Sequence, residues 1–205
     1  MAGQRTPRKP ASACAPAPGV SDTGFAIVSG DRHSFWAGYA AKELPPGKFE
    51  PVGVTFVGGS ITSPGMQEAH EHGNKDNPLR PLFIADREDG RMEPTMNLLL
   101  HHGVRSALEY ARSGDLAAAH AARNPDMSPH LTFVDMGGHG YATVRVDGEQ
   151  MVTEFVGIPR PVEPRPDADG GPLRYRVRHE VPLWQPDESA QMRQTLVEGE
   201  ARLAL

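Results

Sequence analysis

Short apolar runs separated by polar or glycine-rich turns make up much of this chain, and they predict strands. Residues 25–29 predict a buried strand, because the run is apolar and β-branched and ends abruptly at Gly30. Residues 52–57 predict a second strand, and residues 131–135 predict a third. The alternating residues 173–181 predict a further, half-exposed strand.

A β-hairpin is predicted where two alternating runs flank a short turn. Residues 141–146 and 151–156 alternate apolar and polar positions on either side of Asp147-Gly148, a strong hairpin signal. The apolar positions expected to face the core are Val144, Val146 and Val152.

Helical spacing is found in four other segments. Residues 36–39 predict a short helix, and a longer one opens at Glu93-Pro94-Thr95 and ends at Gly114, with Gly103 as its weak point. The alanine-rich residues 116–122 predict another helix. Residues 188–205 carry apolar positions at helical spacing.

The remaining segments read as irregular and set the domain organisation. Residues 1–20 predict a disordered leader rich in proline and alanine, and residues 64–90 a long polar loop or lid. Residues 21–158 form the main domain in this interpretation. A proline-rich linker at 159–172 and a terminal strand and helix at 173–205 follow it.

Charge and cysteine content narrow the functional classes. The net charge of −5 comes without a basic stripe, so nothing suggests a nucleic-acid surface. The single cysteine, Cys14, excludes an intrachain disulfide and a multi-cysteine zinc site. No apolar run approaches the ~20 residues of a membrane-spanning helix. Residues 1–19 lack the apolar core of a signal peptide, so the compartment is not encoded in this segment.

The sharpest chemical signal is Gly30-Asp31-Arg32-His33, directly after the first predicted strand. Open α/β sheets place ligands at the carboxyl ends of their strands, so an acid and an imidazole would lie at that edge. His33 is the candidate metal ligand. Asp31 is either a second ligand or the group that orients the imidazole, and Arg32 can reach a phosphate oxygen or point to solvent.

Other polar motifs have plainer interpretations. Ser34 lacks the surroundings of a nucleophile elbow and is predicted to be a structural hydroxyl. His70-Glu71-His72 could share a metal if extended, but a hydrophilic loop is the favoured interpretation. The doublet His101-His102 lies on a predicted helix, so at most one of its rings is expected to face any given site. Glycine turns at 58–59 and 137–140 lack the sequence of a phosphate-binding loop.

Three segments in order resemble one enzyme family. Residues 29–36 (SGDRHSFW) resemble the late metal-binding turn of the alkaline phosphatase D family, the PhoD-like metallophosphoesterases. Residues 54–65 resemble the strand and turn that follow it. Residues 124–135, with Gly140-Tyr141, resemble the passage into the terminal strands. The resemblance runs from about residue 25 to residue 156.

The resemblance implies an α/β fold, part of a four-layer metallophosphoesterase sandwich with mixed sheets and flanking helices. It implies hydrolysis of phosphate mono- or diesters by a metal-activated water, with His33 and Asp31 as metal ligands and Arg32 at the substrate phosphate. Calcium and iron, or a similar divalent pair, are the implied cofactors. Many relatives are exported proteins.

The other metal-ligand turns of the family have no counterpart before Gly30. We therefore expect this chain to be the carboxyl-terminal half of such an enzyme, inactive alone and able to pair with a missing amino-terminal half. One alternative is a non-catalytic remnant or interaction module that pairs with another chain. A second is an unrelated α/β binding protein whose Asp-X-His is accidental.

Overall fold

A computed structural model of the protein describes residues 24–160, 166, 173–185 and 188–205. The predicted leader, Cys14 and most of the predicted linker at 159–172 lie outside these ranges. The described residues form ten strands and four α-helices, besides a 3-10 turn at Arg80–Leu82. The strands are β1 (Ala26–Ser29), β2 (Phe35–Ala41), β3 (Pro51–Val57), β4 (Ala85–Asp86), β5 (Met92–Glu93), β6 (Leu131–Asp135), β7 (His139–Val146), β8 (Gln150–Ile158), β9 (Tyr175–Pro182) and β10 (Arg193–Gly199). The helices are α1 (Met66–Gly73), α2 (Thr95–His102), α3 (Val104–Ser113) and α4 (Leu116–Ala121).

Two four-stranded sheets organise the described chain. The first has the order β1-β3-β2-β6, in which β1 runs parallel to β3 and β2 runs antiparallel to both its neighbours. The second is an antiparallel meander in the order β10-β9-β8-β7. A mixed α/β architecture is therefore confirmed, with β4 and β5 as a separate two-stranded ribbon.

The sheets pack face to face over an aromatic core. Phe35 of β2 and Phe133 of β6 contact Phe155 and Tyr175 of the second sheet, with ring centroids 5.1 to 6.2 Å apart. All four side chains are fully buried. His179 on β9 joins this layer, with its ring 4.9 Å from that of Phe155.

Helices cover the opposite face of the first sheet. Met96 of α2 packs with Val134 of β6, whose neighbour Phe133 points to the other sheet. Tyr110 of α3 and Leu203 near the carboxyl end of the chain form a second cluster with α4. The described residues thus stack as helices, first sheet and second sheet.

Several predicted elements are confirmed with small shifts in their ends. These are β3, β6, β9, the hairpin β7–β8 and helix α4. The long predicted helix is divided at Gly103, whose φ of 89° is a backbone conformation that glycine adopts without steric cost. Its second part ends at Gly114, which also has a positive φ, of 69°. Gly103, predicted as the weak point of one helix, therefore separates two helices, α2 and α3.

Several predictions are wrong, and in the first two cases sheet pairing overrides local preference. Residues 36–39 lie in β2, which is paired on both sides by β3 and β6. Residues 188–205 contain β10, a strand paired with β9, in place of a helix. Residues 64–90 hold α1, the 3-10 turn and β4 and are not structureless.

The fourth error concerns burial. Strand β1 lies at an edge of its sheet, and Ile27 and Val28 are exposed, with Ala26 alone packed against the core. In the hairpin, Val152 is buried as predicted. Val144 and Val146 are exposed, so that part of the prediction is wrong.

Candidate functional site

The Gly30–His33 turn lies at the carboxyl end of β1, beside the turn that follows β3. The Gly58 amide donates to the Ser29 carbonyl at 3.0 Å, so the ends of the two parallel strands meet as expected. Asp31 and His33 both have positive φ, 68° and 49°. Such left-handed backbone costs a residue other than glycine on the order of 1 kcal/mol, and it is characteristic of turns that position functional side chains.

His33 is held by the chain opposite it. Its Nδ1 lies 2.8 Å from the Pro64 carbonyl oxygen. Because a carbonyl oxygen only accepts, Nδ1 must carry the proton, and Nε2 of the neutral ring keeps its lone pair. This is the arrangement by which proteins orient a metal-binding or proton-accepting imidazole.

The neighbours of His33 in sequence have different roles. The fully buried Ser34 donates to the Arg32 carbonyl and accepts from Trp36 Nε1 at 2.7 Å, which makes it a structural hydroxyl as predicted. The Arg32 guanidinium lies over the Trp36 ring, 5.5 Å from its centroid. Asp31 and Arg32 are otherwise solvent-exposed.

The turn forms one wall of a cavity of about 650 Å³. The opposite walls come from α1 and the residues before it, from the start of β7 and from the end of β8. The side chains facing this cavity that carry charge or ring nitrogens are Asp31, Arg32, His33, Glu68, His72, His139 and Arg160. Three predicted site residues are therefore brought together with four that were not singled out for this site.

Glu68 is the hub of the opposite wall. Its carboxylate accepts from His139 Nε2 at 2.7 Å and from the Gly65 amide at 2.8 Å. Arg160 Nε lies 3.3 Å from the same carboxylate, and its Nη2 lies 2.9 Å from Glu71. Burial acts to raise the pKa of Glu68, but the His139 hydrogen bond and the Arg160 charge outweigh it and lower the pKa.

Two polar atoms on this wall have no hydrogen-bond partner among the described residues. They are Nδ1 of His139 and Nη1 of Arg160, and both are buried. Since the ionised Glu68 only accepts, Nε2 of His139 carries a proton. A buried polar atom without a partner costs about 1–3 kcal/mol, and such atoms are characteristic of functional sites.

The backbone around His139 is tightly packed. Gly138 lies against Phe35, Asp135 and the Tyr175 hydroxyl, and a Cβ there would overlap all three. Gly140 has a φ of 140°, and a Cβ there would collide with a backbone carbonyl of β8. These glycines let β7 begin close to the other strands, which fixes where His139 enters the cavity wall.

The histidines of α1 separate, contrary to a shared metal site at His70-Glu71-His72. His72 faces the cavity, while His70 stacks flat on Phe83 with a centroid distance of 4.5 Å. Positions two apart on a helix point in nearly opposite directions, so these two rings do not face one point. The favoured interpretation of the segment as a hydrophilic loop is wrong, because it lies in α1. Gly58-Gly59 lies at the same sheet edge but does not line the cavity.

Sequence reasoning missed the residues that depend on long-range packing. Arg160 fell in the predicted linker, and His139 fell in a glycine run interpreted as a simple turn. Only Glu68 could have been found from local sequence, because it follows Gly65 by three positions. An acid at the third helical position accepts a hydrogen bond from the backbone amide of the residue that caps the helix.

Three further findings concern metal ligands, membrane spans and similarity to known proteins. In the part of the chain that the structure describes, no group of three or more His, Cys, Asp or Glu side chains is arranged to hold a metal ion. None of the helices within the described ranges is long and apolar enough to cross a membrane. Comparison with protein-family models, with curated proteins and with solved structures finds no match to this chain.

Proposed function

We propose that the 650 Å³ cavity belongs to a centre that hydrolyses phosphate mono- or diesters with a metal-activated water, in the manner of the alkaline phosphatase D family. The observation that carries the proposal is the His33 ring, which is fixed through Nδ1 and keeps an Nε2 lone pair in a side chain that lines the cavity. In this proposal the two sheets and the helical layer are the carboxyl-terminal part of a metallophosphoesterase sandwich.

The donor set fits a metal in part. An imidazole at His33 suits iron, zinc or manganese, and the exposed Asp31 carboxylate also suits calcium. A bound metal ion would polarise a phosphoryl oxygen and lower the pKa of a coordinated water. The described residues do not complete a ligand set, so the proposal requires additional donors from outside them, as the family resemblance implies.

The chain's own residues have separable roles. The Arg32 guanidinium binds a phosphate oxygen, for which it must leave the face of Trp36. His139 donates to Glu68 through Nε2 and holds that carboxylate at the cavity wall. Arg160 balances the charge of Glu68 and Glu71 beneath the site.

An interaction module is a second candidate, favoured by one observation. Among the described residues, β1 is paired on one side only, and the apolar side chains of Ile27, Val28 and the preceding Phe25 are exposed. Free strand edges with apolar side chains are templates for pairing with another chain. In this case the chain would fold, associate and bind no metal at His33.

The deciding experiment follows metal-dependent phosphate binding through tryptophan fluorescence, in which Trp36 lies beside Arg32 and the core residue Trp184 gives a constant background. The full chain is titrated with Ca²⁺, Mn²⁺ or Fe²⁺ and inorganic phosphate, and p-nitrophenyl phosphate turnover is measured in parallel. His33→Ala should weaken the metal-dependent response by about 10-fold or more. His70→Ala, whose ring stacks on Phe83 outside the cavity, is the matched control and should behave as the wild type.

An unchanged response in His33→Ala would overturn the metal-centre proposal. If the wild type is also indifferent to metal but elutes as a dimer or larger assembly, the interaction module is supported. Turnover that is abolished by His33→Ala but not by His70→Ala supports the phosphoesterase.

A further inference from the structure

Four histidines come together on the helical side of the molecule, at residues that the proposed phosphoesterase centre does not use. His101 and His102 are the last residues of α2, His120 lies in α4, and His130 immediately precedes β6. The ring centroids of His101 and His102 are 5.4 Å apart, and those of His102 and His120 are 5.0 Å apart. Both rings of the doublet are thus close to other histidines; the expectation that at most one of them faces any given site stays a prediction.

The ring nitrogens of this histidine cluster lack partners. Nε2 of His101, His102 and His120 is buried without a hydrogen bond to any described residue, and so is Nδ1 of His130. Each such atom forfeits a hydrogen bond that it would make in water, at a cost to folding. One unpaired buried nitrogen is common, but four in one cluster call for a missing ligand such as an ion.

The spacing of the rings suits a shared metal ion. Two imidazoles bound to one tetrahedral ion by bonds of about 2.0–2.1 Å have their centroids roughly 5 Å apart, which matches both measured separations. The nitrogens do not yet converge on one point, and no three ligands are arranged around an ion among the described residues. Rotation of the rings about their side-chain bonds is therefore needed.

We propose that His101, His102 and His120, with His130 as a fourth donor, bind one divalent transition-metal ion that prefers imidazole, of which Zn²⁺ is the type. An all-imidazole set excludes hard cations such as Ca²⁺ and Mg²⁺. The ion would join the end of α2 to α4 and to the segment that enters β6. It is separate from the proposed phosphoesterase centre and does not depend on it.

The test uses cobalt as a spectroscopic probe in the full chain carrying His33→Ala, so that the proposed phosphoesterase centre cannot contribute. Co²⁺ should give the visible bands of a nitrogen-coordinated ion, and Zn²⁺ should displace it at one equivalent. Adding His120→Asn should weaken Zn²⁺ binding by about 10-fold or more, as should His102→Asn. His72→Asn, an exposed histidine outside the cluster, is the matched control and should leave the affinity unchanged.

Circular dichroism of each variant without metal verifies that it folds, and His101→Gln replaces any variant that does not. The inference is overturned if Co²⁺ gives no bands, or if the cluster variants retain the wild-type Zn²⁺ affinity. It is also overturned if His72→Asn weakens binding as much as His120→Asn does. None of these outcomes bears on His33, because that residue is absent from every protein in the series.

Discussion

The cavity and the histidine cluster treat the same side chain in opposite ways. In the cavity, each ring is fixed by an oxygen of the protein: His33 by the Pro64 carbonyl, His72 by the Glu68 carbonyl, and His139 by the Glu68 carboxylate. In the cluster, the rings contact one another and their buried nitrogens have no partner among the described residues. Hydrogen bonds thus fix the orientation of the histidine rings in the cavity, whereas the buried ring nitrogens of the cluster lack hydrogen-bond partners among the described residues.

The largest effect should come from removing the hub that orders the cavity. Glu68→Ala leaves His139, Arg160 and the Gly65 amide without their shared acceptor. We expect a loss of about 3 kcal/mol in the free energy of unfolding, since breaking a largely buried charge network by removing one member strands the others. Urea denaturation measures it. Glu68→Gln, which keeps an acceptor oxygen, should lose less, and equal losses in the two variants would contradict the role assigned to the carboxylate.

Acid should weaken the histidine cluster by a somewhat smaller amount. His101 has a pKa of about 4 in the folded protein, against an ordinary value of 6.5. Its contribution to stability is therefore complete above pH 6.5 and is lost as the pH falls to about 4, because the unfolded chain takes up the proton first. We expect a decrease of about 2 kcal/mol across this range, less than the full linkage value because the ring is partly accessible.

Denaturation of the wild type and of His101→Gln at several pH values tests this expectation. His179, buried in the aromatic core, also has its pKa lowered to about 4, so the wild type should keep part of its acid sensitivity in the variant. A variant whose stability falls with pH as steeply as that of the wild type would show that His101 is not the source.

The smallest effect should be at the exposed edge of the cavity. His72→Ala removes a ring that is solvent-exposed and bonded only to the Glu68 carbonyl within its own helix. We expect less than about 0.5 kcal/mol in thermal or urea unfolding, as for most surface substitutions. A larger loss would mean that His72 helps to order the cavity, and it would weaken the contrast between fixed and unfixed rings.

Part of this architecture follows from local pattern. Strand β6 was predicted with its observed bounds, and Asp147-Gly148 predicted the hairpin, because turn chemistry and alternation are local. Burial of β1 was predicted wrongly, because a short apolar run reads the same at the edge and at the centre of a sheet. Strand β10 was mistaken for a helix because Met192, Leu196 and Leu203 stand at helical spacing, whereas the pairing of β10 with β9 decides the structure.

The candidate site likewise combines residues that are close in sequence with residues that only the fold brings together. Asp31, Arg32 and His33 are adjacent in sequence, so one motif was enough to select all three. His139 and Glu68 are 71 positions apart, and only the meeting of β7 with α1 brings them within hydrogen-bonding distance. Arg160 reaches the same wall from 89 positions beyond Glu71. Pairings at such separations leave no trace in a local pattern.

The packed glycines around His139 also limit how this sequence can change over evolutionary time. Gly138 and Gly140 admit no larger side chain without moving Tyr175 or the β8 backbone, so single substitutions there carry a penalty whatever the function of the site. Residues 138 and 140 therefore tolerate few substitutions, and their close packing fixes the position of the intervening His139. By contrast, Arg32 is exposed, so its side chain can change while the fold stays the same, whereas the φ of 68° at Asp31 restricts that position to residues that tolerate left-handed backbone.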